Sequence, residues 1–352
     1  MTDRAILFFC GDLHNLGDLA LLLQNLETKP PARQAYVRRW LPLPEDIVQQ
    51  VEAAGGTLVN GRNFRTLIPL AFRSDIVIGG GQLVRENLSL ASLASQLAAC
   101  LAARAGGGRI LTRGLGVSRI RRRAVRILWQ RLLRLAPAVL VRDEASADNA
   151  AGLVGAARVR LTADMAFLPS SLHAHAAVDA PVGARHVLIV PCIDPGEGRT
   201  FDGPNVPALI EAIRAALPAS GLAFACHDPR PTMDRRAVDD LVARHRLVGR
   251  EPTHGYSLRK LLEDYHAAAL VVTNRLHSII FSLLAGRPVL IVDDGNTKTA
   301  AIAKRFGIPS VSVVRPDAYA SAVNAALDFD RDLRGRALET VASASQANLG
   351  ND

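Results

Sequence analysis

Cysteines, aromatics and long apolar runs are scarce in this sequence, and each scarcity removes a class of protein. There are four cysteines, Cys10, Cys100, Cys192 and Cys226, scattered in or beside apolar runs with no Cys-x-x-Cys spacing. That excludes a disulfide framework or a zinc module as the organising device, and buried free thiols are expected. Aromatic residues make up 5% of the chain, too few for a single-strand stacking platform, and no recognisable nucleic-acid module accompanies the basic residues. Nucleic acid is therefore not an expected partner. No apolar run reaches the roughly 18 residues a membrane span needs. The opening MTDRAILFFCGD has no signal-peptide cleavage pattern, so a cytoplasmic protein is expected.

What is present suits a globular enzyme. A chain of 352 residues, 49% hydrophobic and 21% charged, can bury two cores in two domains of roughly 150 to 200 residues. The formal net charge of +9, from 42 Lys+Arg against 33 Asp+Glu, is compatible with nucleic acid, an anionic membrane face or phosphorylated substrates.

Short apolar runs alternate with helical patterns throughout. AILFFC (5–10) reads as a buried parallel strand, and Asn15, Gly17 and Asp18 then open a helix with Leu19, Leu22, Leu23 and Leu26 on one face. Such a helix start can hold an anion or can simply be a capped helix. AYVRRWL is a second strand, LPEDIVQQVEAAGG a helix and NFRTLIPLAFR a short helix. DIVIGGGQLV (75–84) puts Gly79, Gly80 and Gly81 directly after a strand, a turn that either faces a ligand or is merely tight. In RIRRRAVRILWQRLLRLAP the residues Ile120, Ala124, Leu128, Leu132 and Leu135 form the expected buried stripe. Arg119, Arg122, Arg123, Arg126 and Arg134 form a basic face, either solvated or resting on anionic lipid.

Arg142 ends the strand AVLV, and Asp164 follows VRLT; both stand where ligands bind in parallel α/β sheets, at strand carboxyl ends. Residues 170–184 lack an apolar period and read as a linker with His173 and His175 exposed. The second half repeats the pattern. Thr273 to Lys298 holds a strand, a turn with Arg275 and His277, a helix, a second strand, and a polar DDGNTK turn ending in Lys298. Arg, His and Lys on neighbouring strand ends equip a site for an anionic substrate and proton transfer. The expected fold is α/β: two doubly wound, Rossmann-like domains facing a cleft, as in the glycosyltransferase B class. The N-terminal domain is expected over 1–169, the linker over 170–184, the C-terminal domain over 185–329, and a helix crossing back to the first domain over 330–352.

The elements HNLGDLALL, DIVIGGGQL, RGLGVSRIRRR, LVRDEAS, LTADMAFLP, NRLHSIIFSLLAGRPVLIV and DDGNTK occur in that order between about residues 11 and 310. As an ordered set they resemble the polysaccharide pyruvyl transferase family. The resemblance implies transfer of the pyruvyl unit of phosphoenolpyruvate to sugar hydroxyls of a cell-surface or exported polysaccharide, as a cyclic ketal with release of phosphate. Phosphoenolpyruvate is then a substrate, and neither a cofactor nor a metal is implied.

A carboxylate and a phosphate on one small frame call for several cations, guanidinium above all. Arg275, Arg142 and Lys298 meet that need. With an unperturbed pKa of roughly 6.5, His277 is the expected general acid or the group that protonates the departing phosphate. Asp164 is the expected base for the acceptor hydroxyl, with Asp18 as the alternative base, or else a structural cap. Asn15, Asp18, Gly79, Gly80, Gly81 and Asn274 complete the expected substrate contacts. The saccharide acceptor could be lipid-linked, with the Arg119–Arg134 helix touching the inner face of an anionic membrane. Two other readings remain open: a nucleotide-sugar-dependent glycosyltransferase of the B fold, and a non-catalytic partner in polysaccharide assembly.

Overall fold

The computed structural model of the chain describes residues 4–168, 170–179, 186–193, 200–295, 297–328 and 331–350. Contacts divide it into two compact units. One comprises Met1–His14, Asp18–Leu168 and Val341–Asp352, and the other Asn15–Gly17 and Pro169–Thr340.

In the first unit, short strands without polar alternation are covered on both faces, the usual condition of parallel strands. Leu7, Phe9, Ile76 and Ile78 pack in one cluster with Trp129 and Leu132. Ile6, Phe8 and Val77, on the opposite face, are equally buried. The order is β1 (Ala5–Phe9), α1 (Leu16–Glu27), β2 (Ala35–Arg39), α2 (Glu45–Ala53), β3 (Gly56–Asn60), α3 (Phe64–Phe72), β4 (Ser74–Gly79), α4 (Leu90–Ala105), β5 (Ile110–Arg113), α5 (Arg123–Leu133), β6 (Val139–Val141), α6 (Glu144–Val154) and β7 (Val159–Leu161). The five-stranded sheet runs β3-β2-β1-β4-β5, with β6 and β7 paired separately. Every pairing in it is parallel: Leu7 stands opposite Tyr36 on one side and Ile76 on the other. Strand order reverses between β1 and β4, where doubly wound sheets open a ligand crevice at their carboxyl edge.

The second unit continues with α7 (Ser171–Asp179), β8 (His186–Val190), α8 (Val206–Ala216), β9 (Gly221–Phe224), α9 (Asp234–His245), α10 (Leu258–Ala267), β10 (Ala268–Thr273), α11 (Leu276–Leu284), β11 (Val289–Val292), α12 (Thr297–Phe306), β12 (Ser310–Val311), α13 (Tyr319–Leu327) and the start of α14 (Arg331–Gln346), whose residues from Val341 on belong to the first unit. Its parallel sheet runs β12-β11-β10-β8-β9. Val187, Leu270, Leu290 and Val311 join Leu209, Ile213 and Val323 in its core.

Two local expectations change. Part of the stretch read as an irregular linker is a helix, since Ser171–Asp179 form α7. His173 is not exposed there but packs edge-on against Phe281 at 5.5 Å and His266 at 6.1 Å. A run without apolar period can still be helical when its contacts come from small residues and imidazole, as with the fully buried Ala176; residues 180–184 of that stretch lie outside those described. The buried stripe of α5 is Val125, Trp129, Leu132 and Leu133, one position on from Ala124 and Leu128. Trp129 sets this phase: it is the largest fully buried side chain and its indole N–H points at the Arg85 carbonyl at 3.4 Å.

The end of the described chain is stitched into the first unit. Asn348 accepts from the Gly114 N–H at 2.7 Å and from the Thr162 hydroxyl at 2.8 Å, and donates to the Ala163 carbonyl at 3.0 Å. The Ser345 hydroxyl donates to the Asp164 carbonyl at 2.9 Å. No helix among the described residues is long and apolar enough to cross a membrane.

Candidate functional site

In the second unit, the carboxyl end of β10 turns directly into α11, and polar side chains fix the turn. The Thr273 hydroxyl donates to the Val190 carbonyl at 2.8 Å and accepts from the Arg275 N–H at 3.0 Å. Asn274 is fully buried: its Oδ1 accepts from the Cys192 N–H at 2.8 Å, and its Nδ2 donates to the Cys192 carbonyl at 2.9 Å and to Asp294 at 3.0 Å. One amide thus ties the ends of β8 and β10 to the Asp293–Asp294 turn after β11. That is a positioning role, and it explains an Asn immediately before the Arg-x-His pair.

Arg275 is the N-terminal flanking residue of α11 and His277 lies in its first turn. The Arg275 guanidinium donates to the carboxylate of Asp234, whose side chain is 2% exposed. Burial opposes the charge on Arg275, but the Asp234 carboxylate outweighs it and holds the guanidinium charged, well above its ordinary range. Asp234 also accepts from the Asp228 N–H at 3.0 Å, so it is fixed from two sides. Asp234 had no role in the sequence reading. An Asp opening a helix normally reads as a cap, and only the strand order brings it beside Arg275.

His277 is 7% exposed. Its ring lies nearly parallel to that of Phe281, centroids 6.3 Å apart. Gly17 closes over it: a Cβ built there would overlap Nδ1 of the imidazole. Only glycine fits, so Asn15–Gly17 belongs to the imidazole's surroundings. Asn15 holds that loop by accepting the Gly17 N–H at 3.0 Å, and the Leu16 N–H donates to the His227 carbonyl at 2.7 Å.

Behind this surface lies a network the sequence reading also missed. His227 is fully buried, hydrogen-bonded to the Tyr265 hydroxyl at 2.8 Å and stacked on Phe281 at 5.3 Å. Tyr265 in turn donates to the Ser278 hydroxyl at 2.7 Å. Burial, with the Arg275 charge next, pushes His227 well below the usual histidine range, so it is neutral. Lys298 is half-buried in the first turn of α12.

The remaining predicted residues, Asp18, Gly79, Gly80, Gly81, Arg142 and Asp164, are in the first unit. Gly80 and Gly81 have φ of +80° and +73° and pack on α1: a Cβ on Gly80 would meet Leu21 at 2.7 Å, and one on Gly81 would overlap Oδ1 of Asp18. The three-glycine turn therefore brings β4 close to α1, with no room for a side chain at Gly80 or Gly81. Asp18 accepts the Asp12 N–H at 3.1 Å. Arg142 and Asp164 pair at 2.8 Å with side chains 4% and 5% exposed. Arg142 also donates to Gln82 at 3.1 Å, while the second oxygen of Asp164 accepts the Ala166 N–H at 3.0 Å as a helix cap. Both residues are thus engaged within their own unit. Asp164 is in the cap position the sequence reading left open.

The model of the family described as polysaccharide pyruvyl transferase matches residues 36–296. No curated protein matches the chain. Among solved structures, UDP-GlcNAc 2-epimerase from Neisseria meningitidis bound to UDP-GlcNAc is similar at TM-score 0.59 and 12% identity, covering 99% of each chain. A putative UDP-N-acetylglucosamine 2-epimerase from Listeria monocytogenes is similar at 0.57 and 14%, over 99% of this chain and 95% of that one. A mutant O-GlcNAc transferase from Thermobaculum terrenum gives 0.51 and 17%, over 99% and 67%. At these identities the likeness shows the fold alone: α/β, with two Rossmann-like domains of the glycosyltransferase B kind.

Proposed function

The chain belongs to the polysaccharide pyruvyl transferase family and is a transferase, and from that premise we propose that it moves the pyruvyl unit of phosphoenolpyruvate onto a pair of sugar hydroxyls as a ketal. The observation that carries the proposal is the start of α11. A guanidinium held charged by a buried carboxylate stands two residues from an imidazole that is enclosed by Gly17. Arg275 attracts the donor's carboxylate or phosphate, and its partly buried setting strengthens that attraction over what water would allow. Lys298 supplies a second cation.

The proton inventory suits a histidine. Two acceptor hydroxyls form C–O bonds to the central carbon of the donor, and its bond to the phosphate oxygen breaks. One hydroxyl proton ends on the methylene carbon, which becomes the methyl group, and the other leaves with phosphate. No net acid is consumed, so one group that accepts and returns a proton near neutral pH is enough. His277 has that role. Neither a cofactor nor a metal is needed by this chemistry. The acceptor is a cell-surface or exported polysaccharide or its lipid-linked precursor, modified on the cytoplasmic side, with the exposed arginines of α5 resting on anionic lipid.

The test is incubation with phosphoenolpyruvate and a panel of oligosaccharide acceptors. Phosphate release matched by a pyruvyl mass gain is expected, and both should vanish in His277→Ala while the fold is retained. Stabilisation by a uridine diphosphate sugar with no response to phosphoenolpyruvate would instead favour a nucleotide-sugar-dependent transferase.

A further inference from the structure

A cavity of about 270 Å³ opens within the first unit, over the carboxyl ends of β1, β2 and β4 and beside the first turn of α4. None of the residues named for pyruvyl transfer lines it. Arg38, Arg39 and Arg85 do, together with Ser92, Gln96 and Asp12.

Arg38 is the unusual member. It is 7% exposed, yet among the described residues no carboxylate lies within ion-pair distance of it. Its Nη2 donates to the Ser92 carbonyl at 3.2 Å and hydroxyl at 3.3 Å, its guanidinium carbon stands 5.5 Å from the Phe9 ring centre and 5.0 Å from that of Trp40, and its Nε has no hydrogen-bond partner. Arg142, which is also buried, and the partly buried Arg275 each meet a carboxylate. A buried cation without a counter-ion is costly, and burial accordingly pulls Arg38 down to about 10. The N-terminus of the 16-residue helix α4, capped by Ser89, adds further positive potential on the same side.

The second orphan is an acceptor. Gln96 is 5% exposed, and its Oε1 has no partner. An anion would satisfy Arg38, but a bare carboxylate has no proton to give Gln96. A ligand with an anionic group and a hydroxyl on one frame satisfies both.

We propose that this cavity binds an acidic saccharide residue, its carboxylate or phosphate on Arg38 and a neighbouring hydroxyl on Gln96. The saccharide part rests on the pyruvyl-transfer reading and identifies the cavity as an acceptor subsite; the anion part rests on Arg38 alone. Arg39 and Arg85 at the same cavity favour an acidic over a neutral sugar.

Thermal shift and calorimetry on the full chain, without phosphoenolpyruvate, test it with glucuronate, glucose 1-phosphate, glucose and inorganic phosphate. At least one acidic sugar should bind tenfold or more tightly than glucose and than inorganic phosphate, and which one binds better identifies the anion. Ser92→Asp puts a carboxylate beside Arg38, at a first-turn position where an acidic residue suits the helix. It should melt no lower than wild type and lose the response to acidic sugars. Gln96→Leu, a second route should Ser92→Asp not fold, should weaken acidic-sugar binding about tenfold while inorganic phosphate binding is unchanged. Affinity for both glucuronate and glucose 1-phosphate no greater than for glucose, or wild-type responses in both variants, overturns the proposal. So does a phosphoenolpyruvate response that Ser92→Asp removes, since the cavity would then be the donor site. Phosphate release from phosphoenolpyruvate with an acceptor panel reads the pyruvyl-transfer proposal separately.

Discussion

Asp164 and Arg142 bury a charge pair whose members each have a further hydrogen bond, and without Asp164 the buried guanidinium is left with the more exposed Asp143 alone, at 3.3 Å. Asp164→Asn should lower the unfolding free energy by about 3 kcal/mol in urea titration, within the range for broken buried pairs. A catalytic role in addition would show as turnover falling further than stability explains. Gly17→Ala makes the opposite prediction. Its Cβ would displace the His277 imidazole, so turnover should fall at least tenfold while the melting temperature stays within a few degrees. Buried imidazoles also set the acid limit. Burial, and then the neighbouring His266, brings His173 down to about 4 from an unfolded value near 6.5. Between these values the unfolded chain binds a proton that the folded chain refuses, so stability is level above about 6.5 and falls as pH drops toward 4. The urea midpoint should fall from pH 7 to pH 5, and by less in His173→Leu. The types of residue at the site were legible in the sequence: Asn274, Arg275 and His277 stand together at one strand end. What they touch was not. Asp234 is 41 residues from Arg275 and meets it only because β9 and β10 flank β8 in the sheet. Arg38 was hidden inside a strand, where nothing local marks an unpaired cation.

Among the elements, α5 shows how far periodicity reaches. A helix with a basic face was readable, and the exposure of Arg119, Arg122, Arg123, Arg126 and Arg134 agrees with it. The phase was not, because leucines at three- and four-residue spacing fit two adjacent stripes, and the choice falls to whichever buries the bulkiest group. Trp129→Ala should cost about 3–5 kcal/mol, whereas Leu128→Ala on the half-buried flank should cost clearly less; denaturant titration of both checks the phase. The basic face has its own test. Arg122→Glu with Arg123→Glu should abolish sedimentation with anionic vesicles while leaving turnover on a soluble acceptor intact. The strands were the most legible elements, since each of the segments AILFF, SDIVIG, HVLIV and AALVVT holds an unbroken apolar run of at least three residues. Helix α7 was the least, because alanines and histidines give no amphipathic signal.

At the scale of the whole molecule, the division into units follows contacts rather than chain order. Truncation before Val341 should raise amide exchange around Gly114 and Thr162 to Asp164, which lose their bonds to Ser345 and Asn348, and leave the β8–β12 sheet protected. Exchange mass spectrometry distinguishes this from general destabilisation. The same stitching has a consequence for biosynthesis. Domains usually fold in the order in which they leave the ribosome, the N-terminal one first. Here residues 169–340 are complete before the segment from Val341 onward has been made, so the domain that starts first must finish last. Until then the loop after β5 and the turn after β7 await their partners, and the nascent chain depends for that interval on a first domain whose closing stitch is still inside the ribosome.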